Sequence, residues 1–350
     1  MNLPKNFIII TVLFACSCNS QNDNSVENKI AEKANAIGKI EIYDNTALQS
    51  IDSNATIEVI AKGFNWAEGP LWIADKKLLL FSDVPENKIY QWKQDDTTSI
   101  YLKNSGYTGS VPRKGETGSN GLTLDNNGRL LLCQSGNRQV VRMNATLDEP
   151  KANYTVLAAK YNGKKLNSPN DLICDSKNNI YFTDPTYGLP GGDTDSEREL
   201  NFEGVYKISN DGKLTLLIDS IPKPNGIALS ADEKILYIAS SDNNKPRWYA
   251  YNLNEDGNLK DGHVLLDAAP LREKATVKQG PDGFKIDKNG NIFSAGPDGI
   301  NIISPQGKLL GLIKVYGRKT SNCSFDKAKD VLYVTAADEI LKIALHSVIK

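Results

Sequence analysis

The chain has 350 residues, 40% of them hydrophobic and 24% charged, and a formal net charge of −1. That is an ordinary composition for a soluble globular protein, long enough for one large domain or two small ones. It excludes a basic nucleic-acid-binding face, because no Lys/Arg cluster is present to track a phosphate backbone, and it leaves only His263 and His346 for imidazole chemistry.

The N-terminus reads as a targeting segment. Lys5 supplies a positive start, and the apolar run "FIIITVLFA" from Phe7 to Ala15 is too short to span a bilayer. Cys16 follows Leu13-Phe14-Ala15 as in a bacterial lipobox. Residues 1–15 are therefore expected to be a lipoprotein signal peptide and Cys16 the lipidated new N-terminus. Cys18 is an alternative acceptor, and a plain secretory signal is the other reading. The expected location is the periplasm or cell envelope, with a lipid anchor as the only membrane contact. Residues 16–50 are rich in Asn, Ser, Lys and Glu and read as a flexible tether, which leaves 51–350 for the folded domain. Cys133, Cys174 and Cys323 lie in or beside strand-like runs with no CxxC spacing, and are expected to be buried free thiols.

Beyond the tether no long segment has a helical period. Short runs of Val, Ile, Leu, Tyr and Phe alternate with polar residues and are separated by Gly, Asn and Asp turns, so the chain reads as all-β. The run "ATIEVIAKGF" (55–64) precedes six related stretches. They are "AEGPLWIADKKLLLFSD" from 67, "SNGLTLDNNGRLLLCQ" from 119, "PNDLICDSKNNIYFTD" from 169, "PNGIALSADEKILYIAS" from 224, "PDGFKIDKNGNIFSAG" from 281 and "SNCSFDKAKDVLYVTA" from 321. In each, a polar residue precedes an alternating strand, a tight turn and a second strand. The polar residues Glu68, Asn120, Asn170, Asn225, Asp282 and Asn322 are spaced by 52, 50, 55, 57 and 40. Such a period matches one four-stranded blade, so a six-bladed β-propeller is expected. Residues 55–64 would complete the blade begun at Asn322 and close the ring, leaving no open sheet edge.

The repeat also decides a local ambiguity. Asp287-Lys-Asn289-Gly-Asn291 looks like the start of an EF-hand loop. It occupies the same place as Asp125–Gly128, Asp175–Asn179 and Ser230–Lys234, between two strands, and it lacks the EF-hand glycine and bidentate glutamate. It is expected to be a hairpin turn.

In a propeller the first strand of each blade lines the central channel, so the six polar residues are expected at one channel mouth. Two carboxylates and four amides form a set of hard oxygen donors. That set suits a divalent cation, Ca²⁺ first, with Mg²⁺, Mn²⁺ or Zn²⁺ as alternatives. Both histidines fall outside the motifs, which argues against a His-built zinc site and a Ser-His-Asp triad. Glu68, placed between Trp66 and Trp72, needs a partner to offset its desolvation. The second strands return to the same mouth and bring Asp83, Arg138, Asp184, Asp242 and Asp298 to its rim. The long connections 104–119, 160–169, 185–203 and 268–281 enter or surround it.

The motifs "EGPLW", "GSNGLTLD", "LNSPNDL", "YFTDPTYGL", "PNGIALS", "PDGFKID" and "AGPDGINI" follow one another as in the senescence-marker-protein/gluconolactonase/luciferin-regenerating-enzyme family, which the chain resembles over nearly all of 60–345. The resemblance implies a divalent metal held by Glu68, Asn170, Asn225 and Asp282. It implies hydrolysis of a sugar lactone, with Asp282 orienting or deprotonating the water and Asp184 and Asp171 as alternative bases. Asn120, Arg138 and Tyr187 are candidates for contacts to substrate hydroxyls. One departure stands out: Ser135 occupies a position where many close relatives carry His. Two rival readings share the site, a surface-tethered sugar- or partner-binding propeller and another ester or phosphotriester hydrolase resembling the paraoxonases and diisopropyl fluorophosphatase. The expected partner is a small-molecule lactone, with no nucleic acid, and the expected state is a monomer or dimer.

Overall fold

The computed structural model of the protein describes residues 36–95 and 97–346. The expected signal peptide, Cys16 and Cys18 lie outside the described residues. Six antiparallel blades follow one another around a ring. Blade 1 comprises Ala67–Ile73, Leu78–Asp83, Lys88–Lys93 and Thr98–Lys103. Blade 2 comprises Ser119–Leu124, Leu130–Gln134, Gln139–Met143 and Tyr154–Ala158. Blade 3 comprises Leu172–Cys174, Ile180–Asp184, Gly204–Ile208 and Leu214–Ile218, and blade 4 comprises Pro224–Leu229, Ile235–Ser240, Arg247–Leu253 and Leu259–Asp267. Blade 5 is built on Phe284–Ile286, Ile292–Gly296, Gly299–Ile303 and Leu309–Val315. Blade 6 combines Asn322–Phe325, Val331–Ala336 and Glu339–Ala344 with Ile57–Lys62, which pairs antiparallel with Glu339–Ala344 as its outermost strand. The ring is thus closed by the N-terminal strand, as the sequence implied.

The expected tether ends too late. Gly38–Ile42 pairs antiparallel with Leu309–Val315 and gives blade 5 a fifth strand. Asp44 caps the short helical turn Asn45–Gln49 by accepting from Thr46 N. Ala47 and Ile51 are fully buried against a core that includes Phe293, Ile300 and Leu310. Burying those apolar side chains stabilises the segment although its surroundings in sequence are polar.

Neighbouring blades are stitched at the channel mouth by a recurring hydroxyl. Ser82 Oγ donates to Asn120 O at 2.9 Å, Thr183 Oγ1 to Asn225 O at 2.6 Å, and Ser321 Oγ to Ala67 O at 2.6 Å. Ser135 joins the stitching through its buried Oγ, which donates to Pro169 O at 3.2 Å. The glycine that follows four of the mouth residues, Glu68, Asn120, Asn225 and Asp282, permits the close approach. A Cβ on Gly226 would lie 2.3 Å from the Asp282 carbonyl oxygen, a distance no side chain tolerates.

The opposite ends of the inner hairpins are tight turns. Asp287 Oδ1 accepts from Asn289 N and Asn291 N, both at 2.8 Å, and its Oδ2 accepts from Ser50 Oγ. Asp125 and Asp175 cap their own turns in the same way. The EF-hand-like run is a hairpin turn, as its register predicted. Cys133 and Cys323 are buried free thiols, and Cys174 is partly buried and also free. Among the described residues no helix is long and apolar enough to cross a membrane.

Candidate functional site

A cavity of about 260 Å³ opens at the channel mouth, and Glu68, Asn120, Asn170, Asn225 and Asp282 share its wall. Each stands at or just before the inner strand of its blade, where the strand has begun to converge on the axis. All but Asp282 have less than a tenth of their surface exposed. Glu68 Oε2 accepts from Gly69 N at 3.1 Å, and Asp282 Oδ1 from Gly283 N at 3.0 Å. Asn225 Nδ2 donates to Ser241 Oγ at 2.9 Å, which leaves its amide oxygen free for another partner. Asn120 Oδ1 is buried with no partner among the described residues.

The electrostatics are those of carboxylates lacking a counter-charge. Desolvation lifts the Glu68 carboxyl to about 8, and the nearby charges of Asp171 and Glu116 add to it against the Gly69 hydrogen bond. Asp282 is held well above the usual carboxylate range, first by burial and then by the charge of Glu68. Two desolvated carboxylates that oppose each other's ionisation, beside amide oxygens that accept no hydrogen bond among the described residues, fit a cation bound by hard oxygens. Among the described residues no three His, Cys, Asp or Glu side chains are grouped as a metal cluster. The donor set here consists instead of two carboxylates supplemented by amides.

Other expected site residues are placed elsewhere. Asn322 lies off the cavity wall: its Nδ2 donates to Asp171 Oδ2 at 3.3 Å, and its Oδ1 accepts from Cys323 N and Lys285 Nζ. Asp171 is likewise absent from the wall and spends Oδ1 on Leu172 N. Asp184 is buried beneath the 160–169 connection, where its Oδ2 accepts from Asn167 N at 2.8 Å. Burial lifts its carboxyl to about 7. Arg138 is buried too, and donates to the carbonyls of Leu166, Asn167 and Glu197. Asp83 and Asp298 hold incoming backbone in the same manner, accepting from Trp66 N and Val277 N. Tyr187 does line the cavity.

The long connections add residues that the sequence did not single out. Glu116, from 104–119, has an Oε2 buried with no partner among the described residues, and desolvation lifts its carboxyl to about 7. Arg272, Lys278 and Gln279 come from 268–281, while Ser241 and Asn243 come from the segment after blade 4's second strand. Loop length was the only signal for Glu116 and Arg272, and it gave no hint of which loop residues turn inward.

Residues 66–338 match the profile of the SMP-30/gluconolactonase/LRE-like region. The chain belongs to that family. It is 37% identical over 314 residues to a gluconolactonase of Zymomonas mobilis, covering 88% of this chain and 86% of that one. It is 27% identical over 292 residues to the lactonase drp35 of Staphylococcus aureus, covering 80% of this chain and 78% of the relative. A gluconolactonase structure from Xanthomonas campestris superposes with a TM-score of 0.75 at 30% identity, covering 88% of this chain and 95% of that one.

Proposed function

We propose that the protein is a divalent-metal-dependent hydrolase that opens a sugar lactone. The observation that carries this reading is the convergence of Glu68, Asn170, Asn225 and Asp282, from four different blades, on one cavity with uncompensated carboxylates. The similarity to a gluconolactonase and a lactonase along most of the chain supports it. Those four residues would hold the ion, Ca²⁺ by the preference of carboxylate and amide oxygens. Bound there, a divalent ion supplies Lewis-acid polarisation of the lactone carbonyl. Asp282 Oδ1 is engaged by Gly283 N, so Oδ2 is the atom that orients the attacking water and takes its proton. Asn120 Oδ1, buried and unpartnered, accepts a hydrogen bond from a substrate hydroxyl. Tyr187 offers its ring to the sugar from the wall of the same cavity. Arg138, Asp184 and Asp171 maintain the scaffold, because the hydrogen bonds they make run to backbone and to other side chains and none of the three lines the cavity.

The lipobox at Cys16 supports an envelope location, with the cavity reached by lactones outside the cytoplasm. A panel of lactones, with and without chelator, tests the activity. The expected result is acid release that stops on chelation and returns with Ca²⁺. Tight ion binding without turnover of any lactone or ester would instead favour the binding-propeller reading, and turnover of aryl esters or phosphotriesters alone would favour the other hydrolase reading.

A further inference from the structure

Charged side chains reach the cavity wall from several connections. Glu116 and Tyr187 reach it from the connections associated with blades 2 and 3, whereas Arg272, Lys278 and Lys319 reach it from the connections into blades 5 and 6. In a six-membered ring blades 2 and 3 lie across from blades 5 and 6, so the cations face Glu116 and Tyr187 from the opposite side, with Asp282 of blade 5 on their own side.

These three cations have no carboxylate partner among the described residues. Arg272 is held by Asn243, with Nη1 donating to its carbonyl at 2.6 Å and Nη2 to its Oδ1 at 2.9 Å, while its buried Nε has no partner. The Lys278 and Lys319 ammonium groups make no ion pair among the described residues. Other cations close by behave differently. Arg318, adjacent to Lys319, pairs with Asp338 and Glu339, and Lys314 pairs with Asp298. Lys223, whose ammonium lies 5.7 Å from the Tyr187 ring, pairs with Asp193 and Glu203. Once a divalent ion satisfies Glu68 and Asp282, three positive charges face Glu116 alone. A neutral polyol has no need of that excess, since amides and hydroxyls suffice for its hydroxyl groups.

We infer that the lactone carries a second, anionic group, a carboxylate or a phosphate, seated between Arg272, Lys278 and Lys319. The inference rests on the lactone-hydrolase reading and narrows its substrate class. A lactone ring held at the carboxylate–amide centre would present its distal substituent to the cationic wall. Arg272, fixed by Asn243, supplies directed donors, while the two lysines supply mobile charge.

Three lactones test it on the full chain with Ca²⁺: gluconolactone, phosphogluconolactone and glucarolactone. At low salt at least one charged lactone is expected to show a kcat/KM about tenfold or more above gluconolactone, through KM, and to lose that advantage as salt is raised. Preference for the phosphate or for the carboxylate substrate identifies the anion. The double variant Lys278→Gln, Lys319→Gln, on exposed side chains, should remove the advantage and leave gluconolactone within about twofold. Equal turnover of neutral and charged lactones, or an equal loss for both in the variant, would overturn the inference while leaving the lactonase reading intact. If no lactone is opened, calorimetry separates the two ideas. Glucarate and phosphogluconate binding more tightly than neutral glucitol, with the difference abolished in the variant, sustains the anion subsite. Indistinguishable binding overturns it.

Discussion

Each inner hairpin has two polar ends, and the two ends do opposite things with the same residue types. At the turn end, Asp287 has its oxygens filled by Asn289 N, Asn291 N and Ser50 Oγ. At the channel end, Asp282 has one backbone hydrogen bond and a like-charged neighbour in Glu68. A filled carboxylate completes a fold, whereas a buried carboxylate with lone pairs to spare is a binding site waiting for a charge. Five residues separate the two aspartates in sequence. What distinguishes them is the end of the strand on which each sits.

The contrast is broken most severely by neutralising each end in turn. Glu68→Gln and Asp282→Asn should each lower lactone turnover by about a thousandfold and abolish the rise in Tm on adding Ca²⁺. Without the ion these variants should be more stable than the parent at neutral pH, because the parent must take up protons at these raised carboxyls on folding and the amides need none. Asp287→Ala should show the reverse pattern. It leaves the Ser50 hydroxyl proton and two turn N–H groups without their acceptor, at a cost of about 2–3 kcal/mol in stability, yet keeps the Ca²⁺ response. Thermal melts with chelator and with Ca²⁺, alongside turnover, read all three. Equal behaviour of Asp282→Asn and Asp287→Ala would remove the distinction between the two ends.

A subtler test uses pH. Burial raises the folded-state value of Glu68 from its ordinary 4.5 to about 8. The folded protein therefore holds this proton more tightly than the unfolded chain, and the stability so gained is full below about 4.5 and lost as pH rises through about 8. Asp282 is shifted in the same direction. The chelated protein should lose Tm steadily across that window, and Ca²⁺, which displaces the protons, should raise Tm more near its upper end than near its lower end. Glu68→Gln should flatten the slope. A Tm that rises with pH in chelator would contradict the sign.

The same geometry explains what could be seen in the sequence. Glu68, Asn170, Asn225 and Asp282 were legible because each precedes an alternating strand at a fixed phase of the repeat, and that phase also exposed Asp287 as a turn. Arg138 and Asp184 were placed at the rim by counting along their strands, which gives height along the channel but not what covers it. The 160–169 connection folds over both, with Leu166 and Asn167 taking up their hydrogen-bonding groups. Glu116, Lys278 and Lys319 lie on irregular loops, where no period relates position to direction, and Arg272 lies on the helix Ala269–Lys274, which is too short to show one. The strand Gly38–Ile42 was hidden because its few alternating residues stand in polar surroundings, and only the free edge at Leu309–Val315 makes it a strand.

Ser241 offers the smallest perturbation of the channel end. Its Oγ accepts from Asn225 Nδ2 at 2.9 Å and donates to Pro281 O at 2.5 Å, so one hydroxyl both fixes the rotation of a proposed ligand amide and ties the approach to Asp282. Ser241→Ala leaves all four ligands present but frees the Asn225 amide to turn its nitrogen inward. Apparent Ca²⁺ affinity should fall by about tenfold, in line with other residues that orient ligands, while kcat at saturating Ca²⁺ changes little. Ser241→Thr, which keeps the hydroxyl, should restore most of the affinity. A Ca²⁺ titration followed by Tm distinguishes this from a general loss of packing, because a packing defect would lower Tm equally in chelator, whereas a misoriented amide lowers it only where the ion contributes.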